Sequence, residues 1–173
     1  MAAPIKLAHI ALRTGDVPRL RAWYCTVLEA RVVFENDFIA FVSYDDEHHR
    51  IAIIDRGTSH TQSAETGQLD HVSFTMDSLS DLLDTYERLG GQGIVPNRAI
   101  NHGPTTSMYF TDPDGNGVEL QIDNFDTAAE AQAFIDSDAF AANPIGVEFD
   151  ADRMVERFRN GDALSELIKQ GSA

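Results

Sequence analysis

The sequence is short of the features that mark several large protein classes. It holds one cysteine, Cys25, in 173 residues. No internal disulfide can form, and a reducing cytoplasm is the expected compartment. No uninterrupted apolar run approaches the ~20 residues of a membrane span. Met1-Ala2-Ala3-Pro4 lacks the basic and then apolar stretch of a secretory signal. Basic residues are scarce: 13 Lys and Arg stand against 28 Asp and Glu, a formal net charge of −15. Nucleic acid, which is bound by displacing counterions with a basic surface, is excluded as a partner. Anionic membranes are disfavoured for the same reason. A neutral or aromatic small molecule in an internal pocket remains compatible with this charge.

What is present is a repeat. Lys6-Leu7-Ala8-His9-Ile10-Ala11-Leu12 is echoed by Gln68-Leu69-Asp70-His71-Val72-Ser73-Phe74. Each run is apolar and β-branched around one histidine, as expected of a strand. The histidines stand 62 residues apart, and so do Tyr24 and Tyr86 on the helices that follow. In the first half a strand over 5–12 leads to a helix opened by Asp16-Val17-Pro18, with Asp16 as N-cap and proline in the first turn. Leu20, Trp23, Tyr24, Val27 and Leu28 make its apolar face, and Cys25 beside them is expected as a buried structural thiol. Strands follow at 31–35, 38–44 and 49–55. Residues 57–67 are Ser/Thr/Gly-rich and read as a linker, with His60 exposed in it. In the second half a strand at 69–75 leads to a helix over about 78–89, stopped by Gly90-Gly91. Strands are expected at 93–95, 107–111 and 117–122, the last two joined by the Asp112-Pro113-Asp114-Gly115-Asn116 turn.

The fold class is therefore α+β: paired βαβββ modules, about 5–56 and 68–123, forming one domain over 1–125. The two sheets are expected to make one curved, cupped mixed sheet around a metal site. From Asn124 the composition changes. A capping box at Thr127-Ala128-Ala129-Glu130 opens a short helix, 143–149 is extended, and helices follow at 150–159 and 162–170. This 126–173 extension is expected to pack on the modules or on a partner chain, without chemistry of its own.

A lone histidine in a strand is ordinarily a core or edge residue. Two at equivalent points of a repeat, with a carboxylate inside the apolar strand Gly117-Val118-Glu119-Leu120-Gln121-Ile122, call for another reading. Strand side chains alternate between faces. Val118, Leu120 and Ile122 pack under helices, so Glu119 faces the concave side. A buried unpaired carboxylate costs several kcal/mol, and a metal ion is its simplest partner. His9, His71 and Glu119 make a two-histidine, one-carboxylate set, the ligand type of non-haem Fe(II) oxygenases, with Mn(II) the other candidate.

The order of elements, the His…His…Glu set and the ending Asp112-Pro113-Asp114-Gly115-Asn116-Gly117-Val118-Glu119-Leu120 resemble the vicinal oxygen chelate superfamily over roughly residues 5–123. Within it, Glu47-His48-His49-Arg50-Ile51-Ala52 is similar to the segment of type I extradiol ring-cleaving dioxygenases whose second histidine is the acid/base, here His49. Asn101-His102-Gly103 followed by Tyr109 is similar to the same enzymes' His and Tyr that hydrogen-bond a bound catechol. The resemblance implies a one-domain extradiol dioxygenase of aromatic catabolism. His49, Tyr109 and His102 would be its catalytic residues, with His102 and Tyr109 also binding substrate, and an aromatic diol and dioxygen its partners. The small size and the C-terminal helices fit a homo-oligomer. Two other readings stay open: a further metal-dependent enzyme of the superfamily (epimerase, isomerase or thiol transferase) and a metal-free binding protein for a small aromatic. A glyoxalase-type site should carry a fourth ligand on the last strand of the first module, and Ile51-Ala52-Ile53-Ile54 offers none.

Overall fold

A computed structural model of the chain describes residues 4, 6–57 and 69–173. Nearly all of the expected 57–67 linker, including His60, lies outside them. The chain divides into two units. One comprises Met1–Gln68 with the turn Asp112–Asn116, the other Leu69–Thr111 with Gly117–Ala173.

In the first unit the order is β1 (Ile10–Thr14), α1 (Val17–Val27), β2 (Arg31–Glu35), β3 (Ile39–Ser43) and β4 (Ile51–Asp55). The sheet order is β1-β4-β3-β2. β1 runs parallel to β4 and the other neighbours are antiparallel. Asp16 caps α1 by accepting from the Arg19 amide at 3.0 Å. Leu20, Tyr24 and Val27, one helical turn apart, are buried with Val42, Ile51 and Ile53 of the sheet. Trp23 and Leu28, expected on that face, are only half-buried, as is Cys25. Burial still pushes the Cys25 thiol upward, against the Arg21 guanidinium, so it stays protonated. The Tyr24 hydroxyl is satisfied inside the unit by donating to Asp112 at 3.1 Å. Three strands are shorter than expected. β1 begins after His9, β3 loses one residue at each end, and β4 begins after His49.

In the second unit the order is β5 (His71–Thr75), α2 (Leu79–Gly90), β6 (Arg98–Asn101), β7 (Thr105–Thr111) and β8 (Gly117–Asp123). β5 runs parallel to β8, and β8-β7-β6 continue antiparallel. Ser78 caps α2 by accepting from the Asp81 amide. Leu79, Leu82, Leu83 and Leu89 are buried, and the helix packs on β8. No strand forms at 93–95: Gly93 closes the turn after α2 in the left-handed region at φ 76°, and 94–95 are irregular. Pro96 then denies a ladder N–H, and pairing starts only at Arg98. The strand pattern is weak there because buried Asn101 interrupts the apolar alternation.

The C-terminal extension belongs to this second unit. It contains α3 (Ala128–Ile135), α4 (Asp138–Ala142), β9 (Val147–Glu148), α5 (Ala151–Arg159) and α6 (Leu164–Leu167). β9 pairs antiparallel with β6 and becomes a fifth strand of the sheet. Tyr86 of α2 donates to Asp152 at 2.7 Å, and Arg159 pairs with Asp84 and Glu87. The tail is thus tied to the second βαβββ module by a strand pair and by side chains.

Candidate active site

Glu119 is the third residue of β8. Its register partners are Ser73 on β5 and Tyr109 on β7, and Tyr109 in turn faces Arg98 on β6. One row of side chains therefore crosses four strands on one face. Glu119 is 4% exposed. Burial alone would push its carboxyl upward. Hydrogen bonds from Ser107, Ser73 and Tyr109 and the neighbouring His71 outweigh that, and the group lies below the usual carboxylate range. The Tyr109 hydroxyl donates to Glu119 Oε1 at 2.9 Å. Burial and this carboxylate push the Tyr109 phenol far upward, so it remains a donor at neutral pH. The Arg98 guanidinium lies 5.1 Å from the centroid of the Tyr109 ring and holds its face.

His71 opens β5, two residues from Ser73 and so on the same face. Its register partner is Gly117. A methyl group at Gly117 would run into the Asp70 carbonyl and the Cβ of His71. The missing side chain lets the imidazole lean across β8 to Glu119, where Nε2 stands 2.9 Å from Oε2. The other ring nitrogen, Nδ1, is 2.6 Å from Asp70 Oδ2. His102 lies in the β6–β7 turn, with Nε2 2.8 Å from the Tyr109 hydroxyl. His71, Glu119, Tyr109 and His102 are thus one connected polar chain inside the second unit.

His9 and His49 lie in the first unit and meet each other, with ring centroids 4.5 Å apart. His9 stands just before β1 and is exposed. Arg50 secures that entrance: its Nη1 donates to the carbonyls of Leu7 at 2.9 Å and Ala8 at 3.1 Å. The same guanidinium is paired with Asp45 at 2.8 Å. His49 stacks on Phe41 with centroids 4.5 Å apart. Burial, His9 and His48 hold its imidazole below its usual pKa, against Glu47. It is therefore a neutral base at pH 7.

The donor chemistry of the His71–Glu119 pair fits a metal ion. With Nδ1–H donated to Asp70, the Nε2 lone pair of a neutral imidazole points at a carboxylate lone pair. That contact needs a positive charge, a proton or a metal ion, between the two atoms. Two adjacent ligands about 2.1 Å from one ion stand about 3 Å apart, which matches the 2.9 Å seen. A carboxylate behind the ligating histidine is also a common outer support in metal sites. Among the described residues, no three His, Cys, Asp or Glu side chains are gathered closely enough to hold one ion. The pair is two-thirds of the expected ligand set.

Residues 6–120 match the Glyoxalase/Bleomycin resistance protein/Dioxygenase superfamily. The chain belongs to this superfamily. Its relatives within it include Biphenyl-2,3-diol 1,2-dioxygenase 2 of Rhodococcus globerulus, 46% identical over 87% of this chain and 80% of the relative. Biphenyl-2,3-diol 1,2-dioxygenase 3 of the same organism is 40% identical over 97% of this chain and 90% of the relative. Among solved structures, a glyoxylase/bleomycin resistance protein/dioxygenase domain from Frankia sp. EAN1pec superposes with a TM-score of 0.58 at 21% identity, covering 70% of this chain and 93% of that one. A lactoylglutathione lyase from Agrobacterium tumefaciens gives 0.56 at 18%, covering 70% and 96%. These structures share the superfamily fold.

Several supporting residues carry no signal in the sequence. Ser73 and Ser107 belong to no motif, and only strand register places them on Glu119. Arg98 lies outside the expected strand. Gly117 is legible as a turn residue but serves as the gap that His71 crosses.

Proposed function

We propose that this protein is an extradiol dioxygenase that opens the ring of a catechol-type aromatic with dioxygen, in the cytoplasm and as a step of aromatic catabolism. The observation that carries the proposal is identity of 46% and 40% to two biphenyl-2,3-diol 1,2-dioxygenases over 87% and 97% of the chain. The span of the second reaches beyond the βαβββ modules into the C-terminal extension. The His71–Glu119–Tyr109–His102 chain supports it, since it offers a metal-ligand pair next to two hydrogen-bonding groups for a diol oxygen.

His9, His71 and Glu119 would hold the metal, Fe(II) or Mn(II). Such an ion acidifies a bound diol and supplies the electron path by which dioxygen reacts with an aromatic ring. The protein's own side chains do the rest. His49, neutral at pH 7, accepts a diol proton and later returns it, the work of a general acid/base. The Tyr109 hydroxyl and His102 Nε2 grip one diol oxygen and fix the angle of the ring. A positioned acid/base of this kind is worth ~10²–10⁴ in rate. Ring opening breaks a carbon–carbon bond beside the hydroxylated carbons, and both dioxygen atoms enter the product. A biphenyl-2,3-diol is the first substrate to try.

Lactoylglutathione lyases are also relatives, at 25% identity over 66% of this chain for the Synechocystis protein. The lyase reading is weaker, because Ala52 stands on β4 opposite Ala11 where Glu119 stands on β8 opposite Ser73, and Ile51-Ala52-Ile53-Ile54 offers no fourth ligand. The deciding experiment is anaerobic purification, addition of Fe(II), then 2,3-dihydroxybiphenyl or catechol with oxygen, followed by absorbance. A yellow ring-opened product is expected. Iron bound without product would overturn the proposal. His49→Ala is expected to keep iron and lose turnover; normal turnover would remove His49 from its role.

A further inference from the structure

The C-terminal extension reaches the polar chain through a backbone carbonyl. His102 Nδ1 lies 2.5 Å from the carbonyl oxygen of Ile145. A carbonyl can only accept, so Nδ1 carries the proton. Neutral His102 is then the Nδ1–H tautomer, and Nε2, 2.8 Å from the Tyr109 hydroxyl, presents a lone pair. Tyr109 has one proton for two acceptors, Glu119 Oε1 and His102 Nε2, and donates to one of them at a time.

The Ile145 carbonyl is aimed by a built turn. Asn143 Nδ2 donates to the Gly146 carbonyl at 2.7 Å, and the Gly146 amide donates back to Asn143 Oδ1 at 3.1 Å. Gly146 sits at φ 97°, where side chains are strained. A methyl group there would strike the Asn101 carbonyl and the His102 Cα. β9 follows at once and pairs Val147 with Asn101. Asn101 is itself gripped by the tail's end: its Nδ2 donates to the Ile168 carbonyl at 2.7 Å, and Gln170 Nε2 donates to its carbonyl at 3.0 Å. On the other side of the turn, the Phe134 ring occupies the space a side chain at Gly103 would need. The His102 turn is held between two parts of the extension.

We propose that the Asn143–Gly146 turn is a positioning element that sets the tautomer of His102 and thereby the hydrogen-bond polarity offered to a substrate oxygen. The inference rests on His102 binding the diol as proposed above. It gives the extension a chemical role. Ile145 acts through its backbone oxygen and Asn143 through the turn, neither touching substrate.

The test uses the full chain and two readouts. Histidine-labelled protein at pH 8 is examined by long-range proton–nitrogen NMR, with His102 assigned by loss of its signals in His102→Gln. The expected wild-type pattern is protonated Nδ1 and bare Nε2. Asn143→Ala, an exposed substitution that leaves the core alone, is expected to mix the tautomers. It should lower kcat about tenfold at unchanged iron content, in line with outer hydrogen bonds that orient a functional imidazole. Asn143→Asp keeps the acceptor for the Gly146 amide and is expected to recover most of both signals. A wild-type Nε2–H tautomer, or an Asn143→Ala protein with unmoved tautomer and unmoved kcat, overturns the inference. The NMR arm needs no turnover, so failure to find ring cleavage would sink the functional proposal without deciding this one.

Discussion

Tyr109 shows what single atoms do here. Its hydroxyl is the link between His102 and Glu119. Removing it as Tyr109→Phe leaves Glu119 with Ser73 and Ser107, so the fold should survive at a cost of about 1 kcal/mol, one net hydrogen bond. Under the proposed function, ring cleavage should drop by roughly 10- to 100-fold in kcat/KM, because the substrate oxygen would lose one of its two proposed anchors. Steady-state kinetics beside urea melts separates the two effects, and unchanged kcat/KM would remove Tyr109 from the site. The Asp45–Arg50 pair makes a pH prediction at the same scale. The Arg50 guanidinium holds the Asp45 carboxyl down at about 2. A group depressed when folded contributes stability that is fully present above the ordinary carboxylate range near 4, and loses it as pH falls toward 2. Wild type should therefore lose more stability between pH 4 and pH 2 than Asp45→Asn does, read from denaturant midpoints across that range. Equal losses would show that the pair contributes nothing measurable to folding.

The elements explain why these atoms meet. A parallel β5–β8 pair puts Ser73 opposite Glu119 and His71 opposite Gly117. The imidazole needs that empty position to reach the carboxylate. Gly117→Ala should push β5 away from β8, lower stability by about 1–3 kcal/mol and reduce bound iron measured after loading and desalting. Full iron retention would separate the His71–Glu119 contact from metal binding. The strand periods were legible: Val118, Leu120 and Ile122 are buried as alternation required, and α1 starts at its expected cap, Asp16. Two boundaries were not. β6 hid behind Gly93, Pro96 and Asn101, where turn chemistry and a buried polar residue blurred the period. His9 falls outside β1, because no ladder partner follows the strand that far; the entrance is held by Arg50 instead.

For the whole molecule, the feature that bears on assembly is the edge strand β2. All five of its residues are exposed, including Val32, Val33 and Phe34 at 40%, 45% and 48%. An apolar edge strand invites pairing with another chain, which fits the homo-oligomer expected from the sequence. Light scattering behind gel filtration should give a mass at least twice the 19.1 kDa of one chain, and Val33→Lys should shift it toward the monomer. A monomer in wild type would refute this. No helix among the described residues is long and apolar enough to cross a membrane.

The repeat, the order of elements in the two βαβββ modules and the cap at Asp16 were determined by sequence alone. Each follows from short-range rules: alternation, helical spacing and turn residues. Tertiary structure decided the partners. Register across four strands brought Ser73, Glu119, Tyr109 and Arg98 into one row, and a missing side chain at Gly117 let His71 into it. A tail that looked chemically silent supplied the carbonyl facing His102. Such contacts depend on which strands become neighbours and where a backbone oxygen points, and no local pattern in the chain encodes either.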